Sequence, residues 1–232
     1  LKIDRFTVLE IALNKAIKSN AFDRIYINSD DPSLEEVALR LGVNFYLRDE
    51  KLASSQATSD QVVLDFFNNI EGNRLFWLNT VSPLQTIGDI KNFVSLSQDS
   101  TWKSSVSVNT SPVHAIYKEN PLNFEWIRGF ARTQDLRPIK TFNYAMMGWS
   151  RSMINVLKKG QLFDEDTQLI ESSIVQKTYS ADMPGEFGGG IIEINTKAVP
   201  SERILDLSFS SGFIMYFIFF TLPFLFVIAK NV

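Results

Sequence analysis

Apolar residues along the first two thirds of this chain switch between two spacings. Leu9, Ala12, Leu13, Ala16 and Ile17 recur at three- and four-residue steps, which predicts a helix with one apolar face. RIYIN (24–28) then reads as a short buried strand. Asp31 before Pro32 predicts a helix start, an oxygen cap followed by a proline whose missing N–H costs nothing. Gly42 predicts its end, because glycine enters the left-handed region cheaply. VNFYL (43–47) is the next strand, a helix runs from Ser59 and Asp60 to about Ile70, and LFWLN (75–79) is another buried strand. Thr86 with Asp89 resembles a capping box and opens a helix through Val94. SSVSV (104–108) and Tyr144 to Trp149 complete the strands, and Ser150 caps a short helix that Gly160 ends.

Strands alternating with amphipathic helices predict an α/β domain over residues 1–170, a mostly parallel, doubly wound, Rossmann-like sheet with helices on both faces. In such sheets the ligand lies beyond the carboxyl ends of the strands. Those ends carry Ser29-Asp30-Asp31, Arg48-Asp49-Glu50 and Asn79-Thr80-Val81-Ser82. The polar residues gathered there are either ordinary turn chemistry or a binding site.

Composition narrows the chemistry. A net charge of -3 argues against a basic nucleic-acid-binding surface. With no cysteine, disulfides and thiolate catalysis or ligation are excluded, and with one histidine, His114, so is a multi-histidine metal site. His114 has no acid or nucleophile close by in sequence and reads as a pocket-wall or surface residue. Asp30 and Asp31 imitate a metal pair, but Asp31 before Pro32 is better explained as a helix cap. From Leu207 to Ala229 there is no charged residue, and GFIMYFIFFTLPFLFVIA is close to the length of one bilayer span. The chain begins at Leu1 rather than Met, as expected for a fragment or a truncated reading frame.

Three segments together resemble acylneuraminate cytidylyltransferases, the CMP-sialic, legionaminic and pseudaminic acid synthetases. INSDDPSLEEVALRLGV with FYLRDEKLASSQATSD is similar to the family's strand, S-T-D-D, helix, then F-L-R-P-x-x-L-A-x-D-x-A-S. FWLNTVSPLQT is similar to L-L-Q-P-T-S-P-L-R-T, and ARTQDLRPIKTFNYAM to R-x-Q-D-x-P-x-x-x-x-N-G-A. The resemblance implies a nucleotide-diphospho-sugar transferase type of fold and a cytoplasmic domain that makes surface-glycan precursors. Its partners would be CTP and an acidic nine-carbon sugar, with Mg as the expected cofactor. By position, Arg132 matches the arginine near the sugar carboxylate, which its planar fork suits; a surface ion pair is the plainer alternative. Gln134 and Asn143 match polar positions of the sugar pocket, or serve loop hydrogen bonding. Asn79 stands for the family glutamine with a shorter reach, Gln85 replaces an arginine, and Ser82 either caps a helix or binds substrate. The family's opening P-A-R-x-G-S-K-x-x-x-x-K-N loop and late D-I-D-T metal motif have no counterpart here; Glu193-Ile194-Asn195-Thr196 imitates the latter only superficially. No catalytic residue and no metal ligand is therefore assigned, and little turnover is expected.

Residues 171–212 carry a different pattern. VQKT…MPGEFGGGIIEINTK resembles the end of the plug domain of TonB-dependent outer-membrane receptors, and ILDLSFSSGF alternates like a first barrel strand. The expectation is a small β appendage at 171–212, with a junction near Glu171 to Ile174, followed by a hydrophobic helix at 213–229 able to contact a membrane. Two alternatives stand beside the enzyme reading: a fragment of such a transport receptor fused to a passenger domain, and a membrane-anchored, non-catalytic sugar-nucleotide-like domain.

Overall fold

Local chemistry sets where the elements begin and end. In the computed structural model, which describes residues 2–3, 5–98, 102–126, 131–172, 175–176, 191–192 and 224–229, β1 (Lys2–Ile3) pairs with β2 (Phe6–Thr7) ahead of α1 (Val8–Ser19). A reciprocal capping box opens α1: the Glu10 N–H donates to the Thr7 hydroxyl, and the Thr7 N–H donates to the Glu10 carboxylate at 2.8 Å. There follow β3 (Arg24–Ser29), α2 (Leu34–Leu41), β4 (Asn44–Leu47), α3 (Ser59–Asn69), β5 (Arg74–Leu78), α4 (Ile87–Ser97) and β6 (Ser104–Ser111). Gly42 takes φ 68° at the end of α2, the left-handed cap its sequence position predicts. Thr86 and Asp89 form the capping box of α4. A hairpin, β7 (Ile116–Tyr117) and β8 (Asn120–Pro121), precedes β9 (Ile139–Ser150), α5 (Ile154–Leu157) and β10 (Gln168–Glu171). Last come β11 (Val175–Gln176), β12 (Ile191–Ile192) and β13 (Phe224–Ala229).

The main sheet has seven strands in the order β10-β6-β9-β5-β13-β3-β4. Strands β3, β4, β5, β6 and β10 share one direction; β9 and β13 run the other way. Because both reversed strands are interior, only β3–β4 and β6–β10 are parallel ladders. The sheet is therefore mixed, which corrects the expectation of a mostly parallel one. Strand direction follows from which distant segments pair, and hydrophobic periodicity carries no such information.

One core lies on each face. On one side α1 and α4 bury Leu13, Ala16, Ile90 and Phe93 against Ile27, Phe76, Leu78 and Met146. On the other, α3 and α5 bury Val63, Phe66 and Leu157 against Tyr26, Trp77, Met147 and Trp149. The close approach of the Phe76 ring explains Gly148 in β9, since a Cβ there would lie 2.9 Å from that ring. Arg151 closes the end of α3 by donating to the carbonyls of Phe67, Ile70 and Gly72 at 2.7–2.8 Å.

The chain divides into two units, Leu1–Ser173 with Thr221–Val232, and Ile174–Phe220. Within the second, β11 and β12 form a two-stranded antiparallel ladder. The apolar helix expected over 213–229 is corrected at its end, because Phe224–Ala229 is a strand of the main sheet; residues 213–223 lie outside those described. A short apolar run is compatible with either element, and here pairing with β3 and β5 decides it. No helix among the described residues is long and apolar enough to cross a membrane.

Candidate functional site

The carboxyl ends of β3, β4, β5, β6 and β10 and the amino end of β9 lie along one edge of the sheet. At the β3–β4 corner the Arg48 side chain is fully buried, and its guanidinium pairs with Asp30 at 2.9 Å. Burial pushes the Arg48 guanidinium down from its ordinary value, and the hydrogen bond and charge of Asp30 oppose that. The Arg48 N–H also donates to the Ser29 carbonyl at 2.9 Å, so this corner is tied by both backbone and charge. Asp31 accepts from the Ser33 N–H at 2.9 Å, and the Ser33 hydroxyl and N–H hold its carboxyl below the usual range. This corrects the expectation of a helix cap: α2 starts at Leu34 with Ser33 at its N-cap, and Asp31 instead closes the turn before it, bonding a backbone N–H outside the helix.

Beyond β5, the Asn79 side-chain oxygen accepts from the Val81 N–H at 3.2 Å and its carbonyl accepts from the Ser82 N–H at 3.2 Å. Asn79 thus shapes a turn. The cap of α4 is Thr86 and not Ser82, and the half-buried Ser82 hydroxyl makes no hydrogen bond among the described residues. Lys15 of α1 reaches this loop and donates to the carbonyls of Pro83 and Gln85, the latter at 2.8 Å. Burial lowers the Lys15 pKa, and the charge of Asp89 opposes the shift. The buried Gln85 side-chain nitrogen finds no partner among the described residues. The part played by Lys15 escapes sequence reasoning, because a lysine on the polar side of a helix carries no mark of the loop it will meet.

Asn143 sits at an irregularity in the β6–β9 ladder, where the register shifts between Val106 and Val108 and Tyr144 takes φ 53°. Its side-chain oxygen accepts from the Ser107 hydroxyl and, at 3.0 Å, from the Ala145 N–H. Its side-chain nitrogen donates to Asn109 and to Ser172, both at 2.7 Å. All four hydrogen-bonding positions of the amide are taken. The Asn79 N–H donates to the Ala145 carbonyl at 3.0 Å, so the Asn79–Ser82 turn and the Asn143 bulge adjoin.

Arg132 and Gln134 stand apart from that network. Both are exposed, Gln134 on the short 3₁₀ turn Thr133–Asp135 and Arg132 just before it, and the Arg132 side chain pairs with Asp135 at 2.8 Å, the plain surface pair weighed as the alternative. His114 bonds the Ala131 carbonyl through Nε2 at 2.8 Å and meets the Phe124 ring edge-to-face, so it anchors the approach to that turn.

Magnesium is the cofactor that the family resemblance implies. Among the described residues no group of three or more His, Cys, Asp or Glu could hold a metal ion. Asp30 is bonded to Arg48 and Asp31 to the turn at Ser33. The described residues do not fit a bound metal. Glu193 lies outside the described residues.

A mixed seven-stranded sheet with helices on both faces and polar residues along the edge beyond its strand ends makes this an α/β fold of three layers. Two solved structures share it. One is a CMP:2-keto-3-deoxy-manno-octonic acid synthetase complexed with CTP, with a TM-score of 0.54 at 10% identity over 75% of this chain and 83% of that one. The other is 4-diphosphocytidyl-2C-methyl-D-erythritol synthase from Anaerococcus prevotii, with a TM-score of 0.50 at 10% identity over 74% and 79%. At these identities the likeness is one of fold. Residues 2–179 match the cytidylyltransferase family, and the chain belongs to it. Curated relatives include the N-acylneuraminate cytidylyltransferases of Streptococcus agalactiae serotypes III and Ia, each 25% identical over 201 residues, 80% of this chain. The chain spans 43% of the length of those relatives.

Proposed function

We propose that this chain positions CTP and an acidic sugar of the sialic acid class for CMP transfer. The anomeric hydroxyl attacks the α-phosphate in line and loses its proton to solvent, forming a P–O bond as pyrophosphate leaves with the electron pair of the broken one. The observation that carries the reading is the juncture of the Asn79–Ser82 turn with the Asn143 bulge at the strand ends, in a chain of the cytidylyltransferase family. Ser82 and Arg132 are the contacts to substrate in this reading, with Gln134 beside Arg132. Arg132 exchanges Asp135 for the sugar carboxylate, a pair its fork can hold bidentately. Asn143, with every bonding position taken, is a positioning residue. Low turnover belongs to this reading, since the family's D-I-D-T metal motif has no counterpart in the sequence. The unit holding residues 1–173 works in the cytoplasm in this reading.

Equilibrium titration of the full chain with CTP and with sialic acid tests it. Arg132→Ala should weaken sugar binding by roughly tenfold or more, the loss of a charge-assisted hydrogen bond, and leave CTP affinity within about twofold. Absence of saturable heat with either ligand would sink the reading. For residues 171–212 the plug-like reading rests on the glycine-rich VQKT…IIEINTK pattern, and the antiparallel pairing of β11 with β12 suits it. Fractionation of the full chain in a Gram-negative host tests that: recovery wholly outside the outer membrane counts against it.

A further inference from the structure

The loop between β5 and α4 is held in its middle by a residue of another element. The turns it makes are closed by long hydrogen bonds. The Val81 N–H donates to the Asn79 side-chain oxygen, the Ser82 N–H to the Asn79 carbonyl and the Gln85 N–H to the Ser82 carbonyl, all at 3.2 Å, the far end of the usual range. Val81 and Leu84 are exposed, so apolar burial does not fix that stretch. Lys15 adds a tie from outside the loop. Its ammonium donates to the Pro83 carbonyl and, at 2.8 Å, to the Gln85 carbonyl, one on each side of Leu84. A charged donor makes such bonds about twice as strong as a neutral one does. The half-buried ammonium gives up part of its hydration for this position, and two backbone carbonyls stand in for the water. The lysine is itself placed by the core, because Leu13 and Ala16 beside it on α1 are at most 1% exposed.

We propose that Lys15 is a positioning residue, which sets the place of Ser82 at the strand-end site by clamping Pro83 and Gln85 to α1. This rests on the reading of Ser82 as a contact to the acidic sugar. Ser82 directly precedes the first clamped residue, so release of the Pro83 carbonyl lets the hydroxyl move while the strand ends around it stay in place. Loss of the clamp therefore falls on sugar affinity.

Calorimetric titration of the full chain with sialic acid and with CTP tests it. Lys15→Met keeps most of the stem and removes both bonds, so sugar affinity should fall roughly tenfold while CTP affinity stays within about twofold. Lys15→Arg restores a charged donor with several N–H groups and should bring sugar affinity back to within about threefold of the wild-type value. Lys18→Met, at an exposed position of the same helix, removes the same charge without touching the loop and should change neither affinity. Unchanged sugar affinity in Lys15→Met, an equal fall for both ligands, no recovery in Lys15→Arg, or an equal fall in Lys18→Met overturns the proposal. Should Lys15→Met not fold, Lys15→Gln, with one donating amide, takes its place with an expected loss of about threefold, and wild-type affinity there overturns the proposal equally. Hydrogen exchange separates the clamp from the sugar reading. In Lys15→Met the Ser82 and Gln85 amides should exchange at least about tenfold faster, while those of Leu75 to Leu78 in β5 keep their rates. Wild-type exchange at Ser82 and Gln85 overturns the clamp. Faster exchange there, in a chain whose wild type binds no sialic acid, supports the clamp and counts against the sugar reading alone.

Discussion

Two residues at the sheet's polar edge are held in states that side chains ordinarily avoid. Tyr144 occupies the left-handed region at φ 53°, where the related motif N-G-A has glycine. A non-glycine residue there costs about 1–2 kcal/mol. Its exposed ring meets Phe142 edge-to-face at 5.5 Å, which offsets part of that cost. Tyr144→Ala loses the ring and keeps the strain, whereas Tyr144→Gly loses both. The glycine variant should therefore be the more stable of the two by about 1 kcal/mol in urea unfolding, the reverse of the usual order in a strand. An alanine variant equal or superior to the glycine one would contradict the strain. Arg48 is the second such residue. Asp30→Asn removes the charge opposite a buried guanidinium and should cost about 3 kcal/mol, the lower end for breaking a buried pair. Joint replacement by Asp30→Leu and Arg48→Met should cost less, and a loss under about 0.5 kcal/mol from Asp30→Asn alone would show that the pair contributes little. The polar character of both strand ends is readable in the sequence. That Arg48 turns inward to Asp30 is not, because burial of a guanidinium depends on a partner eighteen residues away.

Among the elements, helices announce themselves best. The Gly42 end of α2, the Thr86–Asp89 box and the span of α3 all lie where periodicity and capping put them, because a helix draws its signals from its own residues. α1 adds a pH dependence. The Thr7 N–H first, then Arg40 and the Thr7 hydroxyl, hold the Glu10 carboxyl down from its ordinary 4.5 to about 2. A depressed carboxylate stabilises the fold above its unfolded value and ceases to do so as it is protonated. The contribution is therefore complete above about pH 4.5 and fades as pH falls toward 2. Arg40 is 57% exposed, and solvent screens that ion pair, so the contribution is about 1 kcal/mol, the scale of a helix cap. Glu10→Gln should lose about that much stability at pH 6 and almost none at pH 2.5, as read from urea midpoints. A constant difference across that range would rule out the titration. Strands are less legible. Only Tyr144 to Trp149 reads as β9 in the sequence, whereas the strand starts at Ile139, because its first residues are largely exposed and lack an apolar pattern.

At the scale of the molecule, strand order and direction come from pairings between distant segments, and neither the reversal of β9 nor the recruitment of β13 could be read beforehand. β9 pairs with β5 on one side and β6 on the other, so its amides are shielded on both flanks. Amides of Met146 to Trp149 should be the last to exchange with deuterium, at the rate of global unfolding, while those of the edge strand β4 exchange sooner. Faster exchange in β9 than in β4 would contradict the observed order. The placement of β13 also has a consequence in time. A ribosome adds roughly 5–20 residues per second, so the stretch from β5 to the end of β13 takes roughly eight to thirty seconds to emerge. The ladders that β13 makes with β3 and β5 therefore close long after the strands they join have left the ribosome, and full cooperativity of the sheet waits on residue 229.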